Sequence, residues 1–365
     1  MAIWSSEVRR THIDEIPYLV YPEREHSILR FLEIGRRWSD REHIVQGDLR
    51  LTLADLRAAA DRVAGVAVRS PLLEVPALAA IVGVPVALKC ESAQPIGVFK
   101  IRGAYNAIAR LAERGGVQGV VTQSSGNHAQ AVAFAARRFG LRAVVVMPES
   151  TPGIKVEGVR RHGGEVVFAG RVRSPEQLER AEAIAASEGL VMIPPFDHPD
   201  VVAGQGTVGL EILEQRPDVE TILVPVSGGG LLAGICVAVE ALAPRVEVVA
   251  VEPAGAAKLS AALAAGEPRA LEHTESLADG LLTRSVGRFT FPILRRTVRR
   301  AIQVGEDEIA AAVRWLHREA GVTAEPSGAV TTAALLAGKA RPSGPTVAVV
   351  SGGNVDPALF HRLTA

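Results

Sequence analysis

From about Thr52 onward the apolar positions of this chain fall into two alternating rhythms. Short continuous aliphatic runs separate longer stretches in which apolar residues recur every three or four positions. An amphipathic helix beginning at Thr52 (Leu53, Leu56, Ala60, Val63) leads through Arg69-Ser70-Pro71-Leu72-Leu73 to a further helix and then to a buried run, Val84 to Leu88. The runs Gly119 to Thr122, Ala143 to Met147, Val166 to Ala169 and Leu190 to Ile193 read as strands. Ala104 to Ala112, Ala129 to Phe139, Gly153 to His162 and Pro175 to Ser187 are spaced as helices between them. Pro194-Pro195 ends this series. A second one follows, with helices predicted over Thr207 to Glu214, Leu231 to Leu242, Glu306 to Ala320 and Ser327 to Ala337. Its strands are Thr221 to Val226, Val246 to Val251 and Thr346 to Val350, with a less regular stretch up to about Arg300. Repeated strand and helix units with short connections predict an α/β fold of two open parallel sheets, each with helices on both faces. We divide the chain into an N-terminal extension (1–50), a large lobe (51–102 and 196–365) and a small lobe (103–195). Ligand chemistry is expected at the carboxyl ends of the strands, where the lobes meet.

Composition narrows the class of partner. Forty basic and forty acidic residues cancel, so no net field draws the chain to nucleic acid or an anionic membrane, and small molecules are the expected partners. The chain has 365 residues, 48% hydrophobic and 22% charged, enough for two packed lobes. Cys90 and Cys236 each sit beside an apolar run and lack metal-ligand spacing, so both read as reduced core residues. No stretch has the length of a membrane span and the first residues form no signal sequence, which predicts a cytoplasmic protein. Residues 1–50 suggest no chemistry; Trp4, Tyr18, Tyr21 and Trp38 there are expected to anchor the extension onto the body or a partner subunit.

Four stretches carry candidate chemistry. Lys100, flanked by Phe99 and Ile101, falls where a strand hands over to a helix; partial desolvation would disfavour its charged form and sharpen its amine as a nucleophile. Ser124-Ser125-Gly126-Asn127-His128 lies between a strand end and a helix start, where free amides and the helix dipole suit a carboxylate. Capping alone would explain Ser or Asn there, and His128 alone reads as a helix-face residue. Ser227-Gly228-Gly229-Gly230-Leu231 follows an apolar strand and opens a helix, a phosphate cradle by its physics and not a Walker loop. Because it also contains Gly228-x-Gly230-x-x-Ala233, with Glu252 at the end of the next strand, a dinucleotide site is a rival reading. Ser351-Gly352-Gly353-Asn354 ends the last strand in a turn that needs glycines, and its hydroxyl could meet a ring nitrogen of a ligand. A desolvated lysine, a phosphate cradle, an anion-binding helix start and a strand-end hydroxyl together describe a pyridoxal 5′-phosphate site.

On these motifs, with Ile96-Gly97-Val98-Phe99-Lys100-Ile101-Arg102-Gly103-Ala104, Ala203-Gly204-Gln205-Gly206-Thr207 and Glu325-Pro326-Ser327-Gly328-Ala329, the chain from about Thr52 resembles the fold-type II pyridoxal-phosphate enzymes. The likeness is to the threonine/serine dehydratase and serine racemase branch. It implies that Lys100 forms the Schiff base and later acts as base at the substrate α-carbon. It further implies that Phe99 packs on the cofactor ring, that Asn127 bonds its hydroxyl, and that Ser227 to Leu231 hold its phosphate. Gly280 would line the ring, Ser351 would face its nitrogen, and Ser124 to His128 would take the substrate carboxylate. Ser125 matches the position that carries a proton on the opposite face in racemases. The branch also implies a homo-oligomer, dimer or tetramer.

Some positions depart from the branch. Val98 stands where a serine is usual, and Ser227 replaces the first of four glycines and brings a hydroxyl of its own. The divalent-cation site implied by the resemblance keeps Glu252, but its later acidic position is Lys258. The racemase arginine position is Glu176; Arg171 and Arg173 nearby read first as solvated charges, and in a sharper reading as a clamp for a second substrate carboxylate, which favours hydroxyaspartate. No regulatory domain is expected after Val350.

A neutral hydroxyl at the ring nitrogen leaves a weaker electron sink than a carboxylate would, so charge on the α-carbon is best relieved by expelling a β-substituent. The expected reaction is α,β-elimination from a β-hydroxy amino acid (threonine, serine, hydroxyaspartate or phenylserine) to a 2-oxo acid and ammonia. The rival readings are an amino-acid racemase on the same scaffold, a nicotinamide-dependent oxidoreductase, and a non-catalytic amino-acid-binding protein.

Overall fold

The computed structural model describes residues 9–13, 16–20, 51–172 and 174–365, in two units, Met1–Arg50 and Leu51–Ala365. In the first, β1 (Arg9–Ile13) pairs antiparallel with β2 (Ile16–Val20). Trp4, Tyr21 and Trp38, and the side chain of Tyr18, lie outside what is described.

The second unit opens with α1 (Leu53–Val63), β3 (Leu72–Glu74), α2 (Pro76–Val82), β4 (Val86–Cys90) and α3 (Lys100–Arg114). Next come β5 (Gly119–Gln123), α4 (Asn127–Arg138), β6 (Arg142–Met147), α5 (Gly153–Arg161), β7 (Glu165–Phe168), α6 (Glu176–Glu188) and β8 (Val191–Met192). The remainder runs α7 (Pro199–Gln215), β9 (Thr221–Pro225), α8 (Gly230–Leu242), β10 (Glu247–Pro253), α9 (Lys258–Ala265), α10 (Thr290–Thr297) and β11 (Arg300–Val304). It closes with α11 (Glu306–Ala320), α12 (Pro326–Leu336), β12 (Thr346–Val350) and α13 (Pro357–Thr364).

These strands form two sheets. One has the order β11-β10-β9-β12-β4-β3, parallel except for β3 at its edge; the other, β7-β6-β5-β8, is parallel throughout. Successive side chains of a strand point to opposite faces, and here both faces are apolar and covered. Ile222, Val224, Val248, Ala250, Val347 and Val349 pack into one core with α1, α7, α8 and α10, while Leu223, Val249, Val251, Ala348 and Val350 pack into a second with α11 and α12. The smaller sheet packs Val120 and Ala143 against α3 and α4, and Val145 and Met147 against α4 and α5. Both cysteines are buried and unbridged.

Two stretches differ from the sequence reading. Helix α7 starts at Pro199, capped by His198, well before Thr207; Gly204 and Gly206, which weaken a helix on propensity, are tolerated where neighbours press close, Arg102 O against Gly204 and the Leu56 side chain and Gly234 O against Gly206. The region read as irregular before Arg300 holds α9 and α10, and Arg300 itself opens β11, an edge strand with little buried surface to mark it.

A buried ionic cluster fixes the start of α3. Arg102 donates to both oxygens of Glu91 (2.8 and 2.9 Å) and of Glu211 (2.7 and 3.0 Å), and also to Thr207 Oγ1 and Val68 O. Lys89 Nζ completes the cluster, donating to Glu211 at 2.5 Å, Gln215 Oε1 at 2.8 Å and Ser70 O at 2.9 Å. Lys89, Glu91 and Arg102 are buried, so each charge depends on these partners. The cluster joins β4, the turn after it, α3 and α7, two residues from Lys100.

Candidate active site

The carboxyl ends of β5, β6, β9 and β12 open onto one cavity of about 740 Å³. Lys100 enters it from the first position of α3. The segment before it is laced to the end of β12: Val98 bridges Gly352, Phe99 N donates to Ser351 O at 3.1 Å, and Gly353 N donates to Gly97 O at 2.9 Å. Lys100 and Ser351 are therefore held on one rigid wall. The Lys100 amine donates to Pro195 O at 2.6 Å and stands 5.2 Å from the centre of the Phe99 ring. Burial lowers its pKa to about 8, as its neighbours in the sequence lead one to expect.

The glycine loop lies at the N-terminus of α8. No side chain caps that terminus, so the first-turn amides remain available to an anion. Gly229 adopts φ +94°, the left-handed region, and a Cβ on Gly228 would collide with the ring of Phe196. Gly228 O is held in turn by Gly287 N (3.0 Å) and Thr290 Oγ1 (2.8 Å), and Ser227 Oγ lies 3.1 Å from Thr283 Oγ1. The desolvated amine and this uncapped, hydroxyl-rimmed cradle fit pyridoxal phosphate. Gly228→Ala is expected to weaken cofactor binding about tenfold or more, since overpacking costs about 1–3 kcal/mol; an absorbance titration that finds wild-type affinity would show that the loop does not grip the phosphate.

Helix α4, which lines the same cavity, begins at Asn127 with Gly126 before it, again without a side-chain cap. The Asn127 amide is oriented at both ends: its Nδ2 donates to Glu325 Oε1 at 2.7 Å, and its Oδ1 accepts from Asn354 Nδ2 at 2.9 Å, which also donates to Ile96 O. His128 is buried, its Nε2 is 3.0 Å from Ile193 O, and burial, with the charge of Lys100 second, pushes its pKa down to about 3. A neutral His128 donates from Nε2 to that carbonyl.

Glu325 is buried, and its pKa is raised to about 8 by that burial first and by Asp279 second. Its folded value lies above its ordinary 4.5, so it contributes stability that is full below pH 4.5 and is lost as the pH rises through about 8. Glu325→Gln keeps an acceptor for Asn127 and cannot ionise. The thermal midpoint of the variant apoprotein should match wild type near the acid end of that window and exceed it by several degrees above about pH 8; a difference independent of pH would contradict this protonation state.

Of the residues singled out by sequence, Phe99, Lys100, Ser124, Ser125, Gly126, Asn127, His128, Ser227, Gly228, Gly229, Gly230, Leu231, Gly280 and Ser351 all line this one cavity. Glu252 does not. Its carboxylate is buried, accepting from Leu259 N, Ser260 N and Ser260 Oγ at the start of α9, so it meets neither a ribose nor the cavity. Nor do its surroundings fit a divalent cation, because the ammonium of Lys258 already sits among the oxygens such an ion would need. Arg171 is exposed and away from the cavity lining, and Arg173 lies outside the described residues. Besides Lys100 and His128, the basic residues that line the cavity are Lys155, Arg284 and Arg288.

Sequence reasoning assigned no role to Glu325 or Asn354, although both lie in motifs it quoted, nor to Ser327, whose Oγ accepts from Gly280 N at 2.9 Å. It also missed the Lys155–Asp279 ion pair, which joins the two sides of the cavity. No motif marks that pair; only the fold brings its members together.

This fold is that of the fold-type II enzymes, and the chain belongs to the family of pyridoxal-phosphate dependent enzymes, whose profile matches residues 63–352. Its cofactor is pyridoxal phosphate, which sets aside the nicotinamide reading. The chain is 41% identical over 314 residues to the L-threonine ammonia-lyase of Thermotoga maritima, covering 86% of this chain and 78% of that protein. It is 39% identical over 308 residues to a serine racemase of Oryza sativa, covering 82% and 90%. Among solved structures, maize serine racemase superposes with a TM-score of 0.82 at 37% identity, over 85% of this chain and 96% of that one. The processed form of threonine deaminase isoform 2 from Solanum lycopersicum gives 0.80 at 35% identity, over 88% and 92%.

Proposed function

We propose that this protein eliminates water from a β-hydroxy amino acid such as threonine or serine, yielding a 2-oxo acid and ammonia. The observation that carries the reading is Lys100 and Ser351 on one wall, an amine of lowered pKa and a neutral hydroxyl, in the cavity that the uncapped N-terminus of α4 also lines. When bound, pyridoxal phosphate supplies the electron sink that acidifies the substrate α-carbon. The α8 amides and the Ser227 hydroxyl would hold the phosphate, and Phe99 and Gly280 would lie against the ring. The amides at the start of α4 would take the substrate carboxylate, and Lys100 would take the proton of the α-carbon. With a pKa of about 8, about a tenth of Lys100 is neutral at pH 7 and able to take that proton. Ser351 does not hold the ring nitrogen protonated as a carboxylate would, which favours loss of the β-hydroxyl over other fates of the α-carbon.

Ser125 lines the cavity, and the resemblance gives its position to a proton carrier on the face opposite the lysine, which favours racemisation as a second activity. Incubation with L-serine separates the two, pyruvate reporting elimination and D-serine racemisation. Ser125→Ala should lower racemisation at least about 100-fold and elimination far less; equal losses would remove the assignment. Release of 2-oxo acid from serine, threonine, hydroxyaspartate and phenylserine tests the substrate, and no release from any of them would refute the elimination itself.

We further take residues 51–102 with 196–365 as the cofactor lobe and 103–195 as the substrate lobe, a division supported by the smaller sheet falling within 119–192. No helix among the described residues is long and apolar enough to cross a membrane. We propose a cytoplasmic homo-oligomer, dimer or tetramer, for light scattering to decide.

A further inference from the structure

Lys258 is buried at the first position of α9, outside the cofactor cavity. Its Nζ donates to three backbone carbonyls, Ala256 O at 2.5 Å, Leu281 O at 2.9 Å and Val226 O at 3.3 Å, and lies 3.8 Å from Glu252 Oε1. One carboxylate and a ring of carbonyls form the hard-oxygen shell that elsewhere binds a metal cation. Here a side chain of the protein fills it. Burial works against the charged form and lowers the lysine's pKa to about 8. An apolar residue would avoid that cost, so the position calls for a gain elsewhere.

The gain lies in what the three carbonyls belong to. Val226 immediately precedes Ser227 of the phosphate loop. Leu281 follows Gly280 in the turn that lines the cavity, and Ala256 belongs to the turn after β10. These segments are brought together at one ammonium. We propose that Lys258 is a positioning residue whose ammonium acts as a tethered cation, joining the phosphate loop to the Gly280 turn so that the cofactor cavity keeps its shape with no metal ion at this point. The inference rests on the cavity being the cofactor site, and its test includes a measurement that does not involve the cofactor.

The full-length wild-type protein should bind pyridoxal phosphate with the same affinity in sodium, potassium, ammonium or magnesium chloride, and after treatment with a chelator. Lys258→Ala should bind it at least about tenfold more weakly in sodium chloride and recover to within about threefold in at least one of the other chlorides. The same salt should raise the thermal midpoint of the variant apoprotein and leave that of wild-type apoprotein unmoved, which separates this inference from any error about the cofactor. Lys258→Met fills the volume without the charge and should bind the cofactor weakly in every salt. If Lys258→Ala folds in none of the chlorides, Lys258→Met decides: affinity weakened alike in all four salts supports the proposal, and wild-type affinity overturns it. Wild-type affinity in Lys258→Ala, a variant that no cation restores, or a wild type that loses affinity with the chelator would also overturn it.

Discussion

Lys100→Ala is expected to lower turnover by at least about 10⁴-fold, the upper end of what one positioned proton-transfer group supplies, because the same amine also holds the cofactor covalently. The visible absorption of the holoprotein should disappear with it, and the fold should survive. Lys100 makes one hydrogen bond, to Pro195 O, on the wall of a cavity and not in a core. The segment before it stays laced to β12 through Val98, Phe99 and Gly97, none of which uses the lysine side chain. A thermal midpoint within a few degrees of wild type, together with lost colour and lost turnover, is the expected combination. Retained turnover would assign the proton transfer to another group.

Arg102→Ala should act in the opposite way, through stability. Removing one partner of a buried ion pair costs about 3–5 kcal/mol, because it strands the other charge. Arg102 serves two carboxylates: Glu91 is fully buried and Glu211 partly so, and Lys89 would be left to answer for both. Burial opposes the charge of Arg102, yet Glu91 and Glu211 hold its pKa above the ordinary value, so the guanidinium is charged where it lies. Urea unfolding of the apoprotein checks the magnitude. Arg102→Lys should recover only part of the loss, since an ammonium cannot fork to Glu91 and Glu211 together. A loss below about 1 kcal/mol in Arg102→Ala would mean that the cluster is not a structural tie.

Parallel strands announce themselves in a sequence as continuous apolar runs because both faces are covered, and the glycine turns at their ends stand out. The cradle at Ser227, the helix start at Asn127 and the strand end at Ser351 were legible for that reason, and Lys100 was legible through its neighbours. What the sequence hid was relational. Gly204 and Gly206 argue against a helix until α3 and α8 are seen to press against them. Nothing in the sequence marks Lys89, Glu91, Arg102 and Glu211 as a buried cluster, because burial of a charge is decided by partners distant in the chain. Glu252 looked free to meet a ligand until Leu259, Ser260 and Lys258 were found around it. Glu325 lay inside a recognised motif, yet only its burial, with Asp279 near, gives it a proton to hold, against the hydrogen bond it accepts from Asn127.

Reduction of the holoprotein with borohydride, followed by proteolysis and mass spectrometry, tests the central claim most directly. The peptide containing Lys100 should carry the mass of a reduced pyridoxyl phosphate group, and peptides containing Lys89, Lys155 or Lys258 should not. A label on any of those three in its place, or a cofactor-bound protein that leaves Lys100 unlabelled, would contradict the account.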